Sequence, residues 1–279
     1  MRIILLGTGT PLLEPKRQAS ALLIETGDVK LLFDAGRGVT TQLVSVGIYP
    51  QQVDCIFITH HHYDHIGNLG EFLLSAWHNG RERPLNLYGP PGTADIVAAL
   101  FDQVYARDIA FALFNEAGLV DIRTLVQVKQ VSPGLVYADD KCQVLTEYVD
   151  HGNSLGLSRE RWPCLGYRVE AKGKAVAISG DTVACDGLDS LARGADVLVQ
   201  CCYLAEDEIT DPEFERLAKY VIASSKQAGQ IAARNQVKKL VLTHIRPKSE
   251  AMLHSMMEDV RREYDGEVHL GNDLMTFDV

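Results

Sequence analysis

The sequence predicts an α/β protein built as a four-layer αββα sandwich, two sheets back to back with helices on both outer faces. Three observations point there. Short apolar runs of strand length, mostly bounded by Gly, Asp or Pro, recur along the chain. Early runs follow one another directly while later ones alternate with helical patterns, a pairing that suits two helix-covered sheets, although pattern alone also admits a single mixed sheet. Hydrophobic residues make up 46% and charged ones 23%, leaving ample apolar surface to bury.

In chain order, strands are expected at Ile3–Leu6, Ser20–Glu25, Lys30–Phe33, Cys55–Thr59, Leu85–Tyr88, Gln143–Val149, Gly166–Ala171, Ala175–Ser179, Val197–Cys201, Leu240–Thr243 and Leu274–Phe277. Ile66, Leu69, Phe72, Leu73, Ala76 and Trp77 recur at helical spacing before Gly80, a plausible stop. A second helix follows Pro90-Pro91-Gly92 through Ile96, Ala99, Leu100 and Gln103-Val104. A third helical region runs from Pro212 to about Asn235 with Gly229 as its weak point, and a fourth from Ser249 to about Tyr264. No Pro/Ser-rich linker interrupts the chain, so residues 1–279 are expected to form one domain.

Subtracting 37 acidic from 27 basic side chains leaves a net charge of -10, which repels nucleic acid phosphates and anionic membrane, and no basic cluster offsets it. Cys55, Cys142, Cys164, Cys185, Cys201 and Cys202 lack CxxC spacing and several lie in apolar runs, as buried thiols do. No signal-peptide pattern precedes the first strand and no apolar stretch approaches the ~20 residues of a membrane span, so a cytoplasmic address and no membrane partner are expected.

Thr59-His60-His61-His62-Tyr63-Asp64-His65 packs His60, His62, Asp64 and His65 directly behind a strand, and imidazole with carboxylate suits zinc and related divalent ions. His60 and His62, two residues apart, project to one side of an extended segment while Asp64 and His65 turn to a neighbouring point. So many ligands in so short a span fit two ions about 3.5–4 Å apart better than one. His151, Asp181 and His244 also stand at downstream strand ends, where α/β proteins present functional groups; each taken alone reads more often as a turn or loop residue. His61, out of phase with its neighbours, reads as a non-ligand.

These residues resemble the metallo-β-lactamase superfamily. Its His-x-His-x-Asp-His motif is matched by His60, His62, Asp64 and His65, followed in order by His151, Asp181 and His244. Leu6-Gly7-Thr8-Gly9-Thr10-Pro11, Phe33-Asp34-Ala35-Gly36, Ser179-Gly180-Asp181-Thr182 and Leu242-Thr243-His244 are most similar to the ribonuclease Z branch, which also holds small phosphodiesterases and arylsulfatase-like enzymes. The resemblance implies that His60, His62 and His151 hold one ion, Asp64, His65 and His244 the other, and that Asp181 bridges them. It implies two divalent ions, zinc first with manganese or iron as alternatives, and a homodimer.

Such a centre lowers the pKa of a shared water toward about 7, so that a bridging hydroxide attacks an ester while the metals stabilise the developing charge. Asp64 is assigned a second role as proton shuttle and catalytic acid. The two ions, less two carboxylates and a hydroxide, leave a local charge of about +1, which favours a small anionic ester, phosphodiester or sulfate ester. Alternatives are a tRNA 3′-end endonuclease, a lactone or thioester hydrolase, and a non-catalytic metal-stabilised binding protein. Nucleic acid ranks behind the small ester because the His-Glu-Ala-Thr and His-Ser-Thr stretches of tRNA-cutting enzymes correspond to Gln200-Cys201-Cys202-Tyr203 and Ala223-Ser224-Ser225, and because no basic arm is present. Asp34 has two readings, a hydrogen-bond partner of a ligand imidazole or a turn residue. The Gly7 to Pro11 loop, Lys16-Arg17 and Arg246 are candidate anion contacts, and leaving-group specificity is assigned to loop residues between about Gln103 and Asp121.

Overall fold

Alternation along the strands decides which layer each side chain joins. Ile3 and Leu5 face one way and Ile4 and Leu6 the other, and the same period of two recurs at Leu31, Leu32 and Phe33, at Cys55, Ile56 and Phe57, and at Val197, Leu198 and Val199. Three buried layers result, one between two sheets and one under the helices on each outer face. Each large apolar side chain so buried contributes about 1.5–3 kcal/mol. The expected αββα sandwich is the fold seen in a computed structural model describing all 279 residues.

Its strands are β1 (Arg2–Gly7), β2 (Ala21–Thr26), β3 (Val29–Phe33), β4 (Cys55–Phe57), β5 (Leu85–Gly89), β6 (Val126–Gln130), β7 (Gly134–Ala138), β8 (Gln143–Tyr148), β9 (Leu165–Ala171), β10 (Lys174–Ile178), β11 (Val197–Cys201), β12 (Lys239–Thr243), β13 (Glu267–Leu270) and β14 (Thr276–Asp278). One sheet has the order β14-β1-β2-β3-β4-β5-β6, the other β13-β12-β11-β10-β9-β8-β7. The helices are α1 (Val39–Ser45), α2 (Tyr63–Ile66), α3 (Leu69–His78), α4 (Thr93–Ala99), α5 (Ala106–Asn115), α6 (Ile122–Leu125), α7 (Asp186–Ala192), α8 (Pro212–Tyr220), α9 (Ser225–Arg234) and α10 (Glu250–Glu263).

Strands β3 to β6 pair in parallel, as do β10 to β13, with helices supplying the crossovers. Their carboxyl ends therefore open on a shared edge, the place where such sheets present chemistry. Between the sheets, Phe57 stacks on Phe33 and Tyr88 with centroids 5.0 and 4.8 Å away, and the Tyr167 hydroxyl donates to the Ile58 carbonyl at 2.7 Å. That bond ties β9 of one sheet to the segment running into His60.

The expected helix over Pro212 to Asn235 is two helices. The break falls at Val221–Ser224, not at Gly229, because the backbone there has other partners: Ala223 N–H donates to the Thr182 carbonyl and Ser225 N–H to the Leu204 carbonyl, while Ser224 Oγ caps α9. Gly229 instead lets α9 approach α10, since a Cβ there would stand 2.9 Å from the Val260 carbonyl oxygen. Residues 103–121, expected as specificity loops, are largely the helix α5 of the outer layer, which buries Ile109 and Ala112 and brings Asp108 to His78 at the far end of α3. The expected second helix is α4 followed by a π-helical turn, Leu100–Val104. All six cysteines are free thiols, and no helix is long and apolar enough to cross a membrane.

Candidate metal centre

Each of the seven expected residues leaves a sheet at the same edge. His60 and His62 follow β4, Asp64 and His65 lie in α2, and His151, Asp181 and His244 follow β8, β10 and β12. The chain turns beneath the motif because Gly36 has no side chain: a Cβ there would stand 2.3 Å from the Asp64 carbonyl oxygen. All seven converge. His60, His62, His151 and Asp181 form one group and Asp64, His65 and His244 a second, with the ligand-type atoms of each group within 4.8 Å of one another.

Hydrogen bonds on the outer side of the rings fix which nitrogen faces inward. His60 Nδ1–H donates to Thr59 Oγ1 at 3.0 Å, His65 Nδ1–H to Asp34 Oδ2 at 2.7 Å and His151 Nδ1–H to the Val221 carbonyl at 2.6 Å, a tautomer assignment that follows from the network. Thr59 Oγ1 passes its own proton to Asp34, 2.9 Å away. In the neutral rings all three Nε2 atoms are thereby left as lone pairs. His60 Nε2 and His151 Nε2 then stand 3.0 and 3.2 Å from His62 Nδ1, three nitrogens with at most one proton among them. A cation resolves that arrangement where hydrogen bonding cannot.

The second group has the same character. His244 Nε2 lies 3.1 Å from Asp64 Oδ2 and 3.3 Å from Asp181 Oδ2, and His65 Nε2 lies 3.5 Å from Asp181 Oδ1. Asp64 Oδ1, Asp181 Oδ1, His65 Nε2 and His244 Nδ1 are buried without any hydrogen-bond partner. Unpaired buried polar atoms each cost about 1–3 kcal/mol, so their concentration here fits a site made for ions. Asp34 and His244 also hold φ of 59°, a conformation disfavoured for side-chain-bearing residues and tolerated where function fixes it.

Burial, and then the facing imidazoles, holds His60 well below the usual histidine range and lowers His62 to about 4. Burial likewise lowers His151. Burial also opposes charge on Asp181 and Asp64, but His244 and His65 outweigh it and keep both carboxylates below their ordinary values. His65 is the exception. Burial disfavours its cation, yet Asp181 and Asp34 raise it well above the usual value. The set is therefore electron-rich, mostly neutral imidazole with ionised carboxylate, and this chemistry suits divalent metal ions.

Several expectations for the surroundings change. Asp34 is an orienting partner and not merely a turn residue. His61 bonds Thr93 Oγ1 and stays out of the cluster. Arg17 is not an anion contact, because its guanidinium is consumed by Thr8 Oγ1, the Gly271 carbonyl and Asn272. Nor does the Gly7 to Pro11 loop offer free donors at Thr8, whose N–H and hydroxyl both bond Asp273. Thr59, the Val221 carbonyl and Trp162, its ring 4.6 Å from that of His62 and tilted 49° to it, complete the site. Thr59 adjoins the motif and was findable by position; a backbone carbonyl carries no sequence signal.

Residues 30–245 match the family model of the Beta-lactamase superfamily domain. A ribonuclease Z of Mycobacterium avium is 34% identical over 283 residues, covering 98% of this chain and 96% of that protein. Among solved structures, the metallo-beta-lactamase fold protein YhfI from Bacillus subtilis superposes with a TM-score of 0.76 at 17% identity, covering 99% of this chain and 98% of that one. The short form of human tRNase Z gives 0.75 at 24% identity, covering 100% and 99%. The chain belongs to the metallo-β-lactamase superfamily, in the branch that includes ribonuclease Z, and is a metal-dependent hydrolase of ester bonds.

Proposed function

We propose that this chain is a ribonuclease Z-type phosphodiesterase, one domain over residues 1–279, that cuts RNA near a tRNA 3′ end with a centre of two divalent ions, zinc first. His60, His62 and His151 would hold one ion, Asp64, His65 and His244 the other, with Asp181 between. The observation that carries this reading is the reach of Asp181, whose Oδ2 is 3.3 Å from His244 Nε2 and 3.9 Å from His151 Nε2 while Oδ1 faces His65. Support for the substrate comes from the Mycobacterium avium relative, a ribonuclease Z matched nearly end to end. When bound, the ions supply Lewis acidity, acidifying water toward neutral pH and offsetting charge on the phosphate.

The chain's own residues do the rest. Thr59, Asp34 and the Val221 carbonyl hold three imidazoles with Nε2 inward, so little reorganisation accompanies binding. Asp64 turns Oδ2 to His244 and leaves Oδ1 free, the atom we assign to taking the proton released by the attacking water and passing it to the leaving oxygen. Asp64→Asn should then impair an alkoxide leaving group more than an aryl oxide, which leaves without a proton.

A second reading, a small phosphodiester, is favoured by one observation. Where tRNA-cutting relatives carry the histidine of a His-Ser-Thr stretch, this chain has Ala223, and the hydroxyls beside it are tied elsewhere: Ser224 Oγ donates to Glu206 and Ser225 Oγ to Asp259, each at 2.6 Å. The test offers purified protein a precursor tRNA, a bis-aryl phosphate, an aryl sulfate and a lactone. Cleavage of the precursor at its 3′ end together with the bis-aryl phosphate is expected. Turnover of the bis-aryl phosphate beside intact precursor selects the small diester, and turnover confined to sulfate or lactone, or metal bound without any turnover, overturns both.

A further inference from the structure

We infer that Arg246 is the specificity residue of this site, taking a second, non-scissile phosphate of the substrate beside the metal cluster. The inference rests on the phosphodiester reading and goes beyond it by assigning the substrate a second phosphate. Arg246 follows His244 by two residues, in the segment that leads from β12 to α10. Its guanidinium carbon lies 5.4 Å from the centroid of Tyr203 and 5.2 Å from that of Phe214, a seat of two aromatic faces that fixes the fork in place. The Tyr203 ring is in turn 6.1 Å from the His244 ring. The fork thus stands one aromatic ring away from the cluster.

What singles it out among the basic side chains is a buried nitrogen without an acceptor. With 37 carboxylate residues against 27 basic ones, partners are plentiful, and neighbouring cations have found them: Lys248 pairs with Glu208, Arg262 with Asp259 and Arg234 with Asp189. Arg246 joins no ion pair, and its Nε is buried without any hydrogen-bond acceptor. With Nε bare and the side chain still partly open to solvent, the guanidinium is satisfied by an anion that brings its own oxygens, and phosphate matches the fork with two parallel hydrogen bonds. Substrates with only the scissile phosphate would leave the fork unpaired. An oligonucleotide, with a phosphate on the adjoining sugar, would fill it.

The experiment compares an aryl diester of a nucleotide with and without a second phosphate on its ribose. Wild type should prefer the doubly phosphorylated form through KM. Arg246→Ala should lose that preference, the penalty on the doubly phosphorylated substrate exceeding that on the other by about 10- to 100-fold, and Arg246→Lys should restore only part of it as a point charge. Lys219→Ala, which removes an equal charge from the exposed face of α8, should keep the preference. A structural role for Arg246 would instead lower both substrates together and the thermal midpoint with them, and that result overturns the inference. Titration of nucleoside bisphosphate against monophosphate reads the same contact without turnover, so it decides the matter even if the protein hydrolyses no phosphodiester. Equal affinities of wild type for the two ligands would refute the assignment.

Discussion

The two ends of the sheets treat charge in opposite ways. At the amino ends of β10, β11 and β12, a groove of about 560 Å³ is lined by Lys141, Arg168, Glu170, Lys174, Asp196 and Lys238, and its main charges are matched. Asp196 accepts from Lys238 at 2.9 Å, Lys174 at 3.2 Å and the Ala175 N–H at 2.9 Å, and Arg168 bonds Glu170 and the Leu191 carbonyl. At the carboxyl ends, Asp64 Oδ1, His65 Nε2, Asp181 Oδ1 and His244 Nδ1 are buried with no partner at all. A groove with its charges paired is structure, whatever its size. Polar atoms left bare in the interior mark the end where a ligand completes the fold.

The largest effect should follow from removing Asp181, the carboxylate we propose lies between the two ions. Asp181→Ala is expected to reduce turnover of the bis-aryl phosphate by a factor on the order of 1,000 or more, with metal per chain falling from about two, because charge stabilisation and positioning are lost together. Elemental analysis beside kinetics checks it, and full activity in this variant would break the contrast between the two ends. Chelation comes next. At free metal about 100 times its Kd, binding stabilises the native state by about 2.7 kcal/mol, so exhaustive chelation should lower the thermal midpoint by roughly 5–10 °C. A melting curve indifferent to chelator would mean that the bare atoms are satisfied in some other way.

Asp34→Asn sharpens the comparison from one shell further out. Asparagine tolerates the positive φ and fills the same space, but its amide cannot accept from Thr59 and His65 on both oxygens as the carboxylate does. Metal affinity should drop by about 10- to 100-fold, read by competition with a coloured chelator, with the fold retained.

How much of this was legible beforehand follows from where information is stored. The cluster of His60, His62, Asp64 and His65 was readable because so many ligands in one turn have no other common use. His151, Asp181 and His244 are individually bland, and strand-end position combined with motif order picked them out. The strands of the central layers were readable because both faces are buried and the runs are strongly apolar. By contrast β6, β7 and β13 lie at sheet edges and, with Gln127, Lys129 or Glu267 at exposed positions, lack the continuous apolar run that marks the inner strands. The break between α8 and α9 was invisible for a different reason. Helical propensity continues through Val221-Ile222-Ala223, and only tertiary hydrogen bonds, to the Thr182 and Leu204 carbonyls and from His151, divert the backbone.

The smallest expected effect lies at the opposite end, where it tests whether paired charge is purely structural. Burial opposes the Asp196 charge, but Lys238, the Ala175 N–H and Lys174 outweigh it and bring the carboxyl from 3.8 down to about 2. A carboxyl depressed in the folded state stabilises at pH above its unfolded value and loses that contribution as pH falls toward its folded one. Asp196→Asn should therefore cost about 1–2 kcal/mol near neutral pH, allowing for solvent screening at the groove, and the gap to wild type should close as pH falls from about 4 to about 2. Denaturation midpoints across that range measure it. Metal content and turnover should stay at wild-type levels, since the His/Asp cluster sits at the other end of β10, and a loss of either would show that the two ends are energetically joined through that strand.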